Sequence, residues 1–474
     1  MIYKISNGMN QFPKLTQRPL PQAPSVKRAI GVGIVMMGLA MGTGELILWP
    51  HLVTKWGLGL LWFALIGITF QYVINKEVAR YTLATGESFF TGSARVFSYS
   101  AVLWLFAALL MYVWPGWASA IGATLVELTG FGTHIIWSWS MLALVLVLTF
   151  AGKRAYVFLE RSLKVTVPLF FLLLLSISFF NLTPEIFVQF IADTRLLPSV
   201  LPQIDIMVLL GAIVFSGAGG MMNLAVSLWY RDKQLCMSEY AGRIENPMTG
   251  KCAVVDPIGS TFEQTAKNCA KWKAWMRYVY IDQGVIFWGL GFLTLLLLSF
   301  NAYAVLTPRG IVPEGLDVAV AQAHIFGDQF GIVGFKVFLF MTVLMLFSVM
   351  WAVIDATTRI ISDIVYTNAK AGPLQKWFKP FSRLSLHHLY YGTATLIVIA
   401  GAILIPFNQP LTLLIISAVL GGFSMAIYTP LILYINNRLL QKNLRPGIFT
   451  NLSLVIITIF FWYFSYRIIF EYLT

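Results

Sequence analysis

The sequence is poor in charge. Asp, Glu, Lys and Arg make up 11% of its 474 residues, against about 25% in an average soluble domain. With 58% hydrophobic residues, that shortage excludes a soluble globular protein. It also lacks the alternation of a β-barrel: its apolar runs are continuous over roughly 20 residues. Cysteine is scarce. Cys236, Cys252 and Cys269 are odd in number, widely spaced and without a neighbouring histidine, which argues against disulfides and against a zinc site and leaves free thiols. A cleavable signal is missing too. Residues 1–28 carry Lys4, Lys14, Arg18, Lys27 and Arg28, no acid and no apolar period; they read as a mobile cytoplasmic tail. Paired acids, a metal-ligand triad, a nucleophile motif and a phosphate loop are all missing from usable places. The expectation is therefore not an enzyme, with no cofactor. A net charge of +13 would suggest nucleic acid in a soluble chain; here its distribution sets topology, and the expected partners are the lipid bilayer and a small cationic substrate.

What is present is a series of eleven apolar spans, near 29–50, 58–80, 99–123, 133–151, 156–181, 205–230, 277–302, 331–363, 386–406, 410–436 and 448–470. With the N-terminus inside, the outer segments hold only Lys55, Arg195, Arg309, Lys336 and Arg467, leaving 28 of the 33 Lys and Arg inside. This positive-inside bias predicts a multi-pass protein of the plasma (inner) membrane with a cytoplasmic N-terminus and an extracytoplasmic C-terminus. The chain divides into the tail 1–28, a first five-helix repeat over 29–181, an extracellular loop 182–204, a second repeat over 205–436 containing the cytoplasmic loop 231–276, and an eleventh helix at 448–470.

Spans 1 and 6 share a peculiarity. GLAMGTGELILWP in span 1 holds Gly42, Thr43, Gly44 and Glu45; FSGAGGMMNLAVS in span 6 holds Gly217, Gly219, Gly220, Met221, Met222 and Asn223. Glycine clusters at matching positions, five spans apart, mark helices that unwind at the bilayer midplane in transporters built from inverted repeats. Helix-packing notches are the alternative. A mid-membrane acid costs roughly 2.5–3.5 kcal/mol, so Glu45 needs an offset. It could cap the second half-helix, meet a cation or a proton in a water-accessible cavity, or pair with Lys336. Glu45 and Asn223 are the candidate metal ligands, and Gly42, Thr43, Gly44, Gly217, Gly220 and Met221 complete the candidate substrate site. Thioethers suit softer cations, though a Met pair is more often packing. Asp355, Arg359 and Asp363, spaced i, i+4, i+8, form an acid-base-acid ladder that fits an inner gate or a static anchor. Lys76, Glu77 and Arg80 admit the same two readings.

MGTGELILWPHLVTKWGLGLLW with ARYTLATGESF, RAYVFLERSLKV, RYVYIDQ, QPLTLLIISAVL and LYINNRLL resemble the natural resistance-associated macrophage protein (Nramp) family of divalent-metal transporters over most of residues 29–445. The resemblance implies an all-α integral membrane fold, a five-plus-five inverted-repeat core (LeuT-like, of the APC superfamily) with helices 1 and 6 broken. The site departs from the family. Its Asp-Pro-Gly-Asn motif falls on Gly42, Thr43, Gly44 and Glu45; its Met-Pro-His-Asn falls on Gly220, Met221, Met222 and Asn223. The third-span acids that carry protons in the family are missing, and His387 and His388 lie where it has paired arginines. This looks like a divergent Nramp-related branch with an altered site. The expected function is secondary active or facilitative transport of a cation, a divalent metal ion above others, by alternating access. One alternative is an organic substrate such as an amino acid or amine, in a pocket lined by Trp49, Trp62, Tyr112, Trp114 or Trp117. A remoter one is a non-transporting sensor or enzyme.

Overall fold

Apolar segments of this length can satisfy their backbone in a bilayer only as helix, and helix dominates the computed structural model of the chain. It describes residues 12–24, 31–42, 44–112, 115–151, 155–244, 255–313, 317–407 and 410–473. Among these, ten helices are long and apolar enough to cross a membrane. Span 6 is the eleventh crossing, divided between Ile206–Val214 and Met222–Asp232, each too short to cross alone. Spans 4, 5, 9 and 10 occupy His134–Ala151, Ala155–Asn181, Leu386–Leu404 and Pro410–Arg438, and span 11 occupies Ile448–Leu473. All five lie within a few residues of the hydropathy ranges. We call the side carrying the N-terminal segment the inner face.

Several elements differ from the sequence expectation. Span 3 is two helices, Ser100–Tyr112 and Gly116–Thr129, because Pro115 cannot donate within a continuous helix and instead precedes the second piece. Span 7 begins early, as Ala266–Val279, and passes through a π-helical stretch, Tyr280–Leu290, before Gly291–Leu306. Span 8 runs to Lys370 and follows an additional helix from Asp317, joined at Gly331, whose φ of 63° is a left-handed value that glycine adopts without penalty. The 182–204 loop contains a helix, Pro184–Val200. Its Asp193 holds it down by accepting a 2.7 Å hydrogen bond from the Leu58 amide at the start of span 2.

Within the N-terminal segment, residues 12–24 differ from the expectation of a mobile tail; the rest of 1–28 lies outside the described residues. Residues 12–24 form a strap across the inner face. Thr16–Gln17 pairs in parallel with Ser260–Thr261 of the 231–276 loop. Arg95 donates to the Pro13 carbonyl, Tyr240 to Pro19, Lys271 to Leu20 and Trp275 to Pro21, at 2.7–3.0 Å. Leu20 is buried, which anchors the strap apolarly. The carbonyls of Pro13, Pro19, Leu20 and Pro21 have no helical partners in this extended segment, so side chains from neighbouring elements satisfy them.

The core lies around spans 1 and 6. Val32–Ala40, Gly44–Leu48 and Met222 through Arg231 are buried at every residue, while spans 4, 5 and 11 turn exposed apolar faces outward. Of the cysteines, Cys236 and Cys269 are free; Cys252 lies outside the described residues.

Leu20→Ala should release the strap, since truncating a buried leucine costs roughly 2 kcal/mol or more. Trypsin cleavage after Lys14, an exposed residue of the strap, should then quicken at least about tenfold in the folded protein; unchanged cleavage would show that the strap is not held by this contact.

Candidate functional site

Spans 1 and 6 both break where their glycines cluster. Span 1 stops at Ala40, with Met41 as its C-cap, and resumes as a π-helical turn, Gly44–Leu48, leading into Trp49–Trp56. Span 6 stops at Val214 and resumes at Met222; Gly220, with φ of 69°, makes the reversal. The two breaks face one another at van der Waals distance. A Cβ added at Gly44 would lie 1.7 Å from the Phe215 carbonyl oxygen, so only glycine permits this approach.

Unwinding frees backbone carbonyls, and polar side chains from surrounding spans take them. Trp49 Nε1 donates to Ala212 O at 3.1 Å and Gln71 Nε2 to Val214 O at 2.9 Å. Tyr428 Oη lies 3.0 Å from Gly220 O and shares its one hydrogen between that carbonyl and Asn223 Oδ1. Gln322, from the helix preceding span 8, donates to Leu46 O at 2.6 Å. In apolar surroundings each unsatisfied carbonyl would cost several kcal/mol, which explains Trp, Gln and Tyr at these depths.

Glu45 is completely buried in the first turn of the span 1 restart. Its Oε2 accepts from Thr294 Oγ1 of span 7 at 2.7 Å, and its Oε1 has no hydrogen-bond partner. Among the described residues the carboxylate therefore bonds across to span 7 and does not cap its own turn. Pairing with Lys336 does not occur: that residue is exposed. Thr43 lies outside the described residues. A cavity of about 20 Å³ sits between spans 1, 3, 6 and 8, room for about one water. Gly217, Tyr112, Trp117, Phe215 and Met222 line it; Glu45 is adjacent through Gly44 but faces span 7. Gly42 packs against Val349 of span 8, and Met221 is buried. Trp49 and Trp62 do not line the cavity; Trp62 is exposed and donates to Thr194. Trp114 lies outside the described residues.

Asn223 belongs to a buried chain of amides. Its Oδ1 accepts from Tyr428 Oη at 2.9 Å, and its Nδ2 donates to Asn75 Oδ1 at 2.8 Å. Asn75 donates to Gln283 Oε1 at 3.2 Å, and Gln283 to Asp282 Oδ2 at 3.1 Å. Asp282 also accepts from Tyr230 Oη and from the Gly31 and Gly33 amides that begin span 1, at 2.7–3.0 Å. The structure thus does not bring Glu45 and Asn223 to one hydrogen-bond partner. Asp282, Gln283, Asn75, Gln71, Tyr428 and Thr294 were missed by sequence reasoning. For Gln283, Asn75, Gln71, Tyr428 and Thr294 the signal was available: each is a polar residue inside an apolar span.

All three residues of the span 8 ladder are paired, though Arg359 Nη2 has no hydrogen-bond partner. Arg359 bonds Asp355 at 2.7 Å and lies 3.4 Å from Asp232 of span 6; Arg231 meets Asp363 at 2.5 Å. Trp229 and Tyr390 donate to Asp355, and Ser88 to Asp363. It therefore ties span 8 to spans 6 and 9 and to the turn after span 2. Glu77 pairs with Arg80 at 2.7 Å and Lys76 at 3.7 Å and accepts from Asn436 of span 10. Lys76 reaches Thr450, and Arg80 the Leu444 carbonyl, an anchor of span 2 to spans 10 and 11. His387 is buried, and His388 joins the Ser385 cap of span 9.

Two five-helix repeats, each opening with a broken helix, define the LeuT-like fold of membrane transporters. Among solved structures, a mutant of the Eremococcus coleocola manganese transporter is similar over 94% of this chain and 88% of its own, with a TM-score of 0.66 and 12% identity. Mhp1, a nucleobase-cation-symport-1 family transporter, in a closed conformation with bromovinylhydantoin bound, is similar over 95% of each chain, with a TM-score of 0.56 and 14% identity. MhsT in complex with L-phenylalanine is similar over 94% of this chain and 99% of its own, with a TM-score of 0.53 and 11% identity. Such identities establish a shared fold. No protein-family model and no curated protein matches the sequence.

Gly44→Ala should force the breaks apart and lower the thermal midpoint in detergent, whereas Gly392→Ala, where an added Cβ meets nothing within 4 Å, should leave it unchanged; equal midpoints for the two would refute the close-approach argument. Arg359→Ala strands two acids and should cost on the order of 3–5 kcal/mol, read as a lowered thermal midpoint in detergent. An unchanged midpoint would show that the ladder is energetically idle.

Proposed function

We propose that this protein is an alternating-access transporter of a small divalent cation, a divergent relative of the Nramp branch in the inner membrane with its N-terminus in the cytoplasm. One observation carries the reading: Glu45 is wholly buried beside two facing helix breaks, with one carboxylate oxygen unpartnered. A buried carboxylate lacking donors is strongly unfavourable, and a cation or proton arriving there removes the penalty. Glu45, the Thr294 hydroxyl and break-region carbonyls form an all-oxygen donor set. Such a set suits Mg²⁺, Mn²⁺ or Ca²⁺ better than softer ions. Asn223 joins it only when Tyr428 gives up its hydrogen bond to the amide oxygen, so recruitment of that ligand would be coupled to movement of span 10. The basic inner loops support the orientation.

A second reading has its own support. The cavity between the breaks is walled by Tyr112, Trp117 and Phe215, aromatic faces that attract organic ammonium groups. At about 20 Å³ it must widen before admitting one.

Uptake into proteoliposomes, together with calorimetric titration of Mn²⁺, Mg²⁺ and Ca²⁺ against a panel of amines and amino acids, separates the two. The expected result is divalent-ion uptake that falls to background in Glu45→Gln. Thr294→Val should weaken ion binding about tenfold, the value of one hydrogen bond to a charged group. Unchanged uptake in Glu45→Gln, or amine binding without any divalent-ion binding, would overturn the proposal.

A further inference from the structure

Far from the breaks, a groove of about 1190 Å³ opens between the end of span 11, the start of span 6 and span 2. Its walls are apolar and largely aromatic, formed by Phe63, Ile206, Leu209, Phe460 and Phe464. One end is charged: Arg467 and Glu471 of span 11 both line it, with Tyr463 and Tyr466 between the charges and the aromatic walls. Arg467 does not spend its charge on Glu471; its guanidinium reaches the Tyr463 hydroxyl at 3.5 Å.

The depth of this charged end is fixed by helix geometry. Arg467 lies 19 residues along span 11 from Ile448, roughly 28 Å at 1.5 Å per residue, close to the roughly 30 Å hydrocarbon thickness of a bilayer. The charged pair thus sits at headgroup level on the face opposite the N-terminal strap, and the aromatic walls run inward from it at acyl-chain depth. The 201–204 turn closes the groove at the same level.

We propose that this groove binds one zwitterionic phospholipid of the phosphatidylethanolamine type. Its phosphate meets Arg467 and the tyrosine hydroxyls, its ammonium meets Glu471, and its acyl chains cover the aromatic walls. The order of charges selects the headgroup. Glu471 is one helical turn from Arg467, the spacing of neighbouring side chains, and a phosphate bound at Arg467 places a headgroup nitrogen within reach of it. A primary ammonium has N–H donors for a carboxylate; a trimethylammonium has none. An anionic glycerol headgroup would bring only its phosphate, with Glu471 opposing it. The lipid would rest against Ile206 and Leu209 of the outer half of span 6, an element that carries one of the two breaks, so occupancy would also bear on how freely that half-helix moves.

Native mass spectrometry of the full-length detergent-purified protein tests this, by titration with phosphatidylethanolamine, phosphatidylcholine and phosphatidylglycerol of matched acyl chains. The expected result is one retained phosphatidylethanolamine, bound at least about tenfold more tightly than either other lipid, a gap of ~1.4 kcal/mol. Arg467→Ala should weaken it severalfold. Glu471→Gln should erase the preference over phosphatidylcholine, and Arg195→Ala, outside the groove, should change nothing. These are exposed polar positions, and retention of the wild-type thermal midpoint confirms folding. Equal binding of all three lipids, preference for phosphatidylglycerol, indifference to both groove variants, or a dimer persisting in delipidated protein with the groove closed to lipid would each overturn the proposal. None of these readouts depends on what the protein transports.

Discussion

The architecture turns on the contact between Gly44 and the Phe215 carbonyl. A bilayer forbids open backbone where lipid can reach it, so a helix that unwinds there must do so against another element. Here each broken helix shields the other. The residue types that surround them follow from the same constraint. Gln71, Trp49, Tyr428 and Gln322 supply donors to carbonyls that lost their helical partners, and they come from spans 2, 1 and 10 and from the helix before span 8. The breaks are thus held open by elements of both repeats, and a rearrangement of any of those elements alters how many carbonyls are available to a ligand.

Two buried acids bridge span 1 to span 7, and their environments differ in a way that separates their roles. Asp282 accepts from two amides, a tyrosine and a glutamine; it is saturated, and it fixes the start of span 1. Glu45 accepts from one hydroxyl and leaves an oxygen unpartnered. Both sit in π-helical stretches, a geometry that recurs at functional sites because it widens the helix and redirects side chains. The saturated acid fixes the inner end of span 1, and the other keeps one oxygen without a hydrogen-bond partner.

What could be read from the sequence followed from chemistry that is local. Both breaks were legible because glycine clusters in an apolar helix have few other uses, and their recurrence five spans apart excluded coincidence. Span ends were legible from hydropathy. Asp282 was not, because it stands at the start of span 7, where an acid reads as an ordinary interfacial residue; only the fold brings the beginning of span 1 against it. The strap of residues 12–24 was illegible for a related reason. It has no period and little apolar content, and its order comes from Arg95, Tyr240, Lys271 and Trp275, which are between 77 and 257 residues away along the chain if counted from Arg18. The orientation of Glu45 toward Thr294 was likewise a tertiary fact, since a carboxylate at a helix restart could equally have capped its own turn.

The contacts on the inner side of the two breaks also constrain how the spans can move against one another. The strap ties the segment preceding span 1 to the 231–276 loop, Asp282 ties the first turn of span 1 to span 7, and the Arg359 and Arg231 pairs tie the inner end of span 6 to span 8. All three lie on the inner side of the two breaks. An inward opening that moved span 1 alone would have to part the Asp282 bonds and leave a saturated buried carboxylate without its donors, which is costly. Moving span 1 together with span 7 keeps the two glycine amides, Gln283 and the Thr294–Glu45 bond in place and parts Asp282 only from Tyr230 of span 6. The second path costs Asp282 one donor where the first costs two, so a displacement of the span 1–7 pair against the span 6–8 pair, along the seam where Gly44 meets Phe215, is the less costly one.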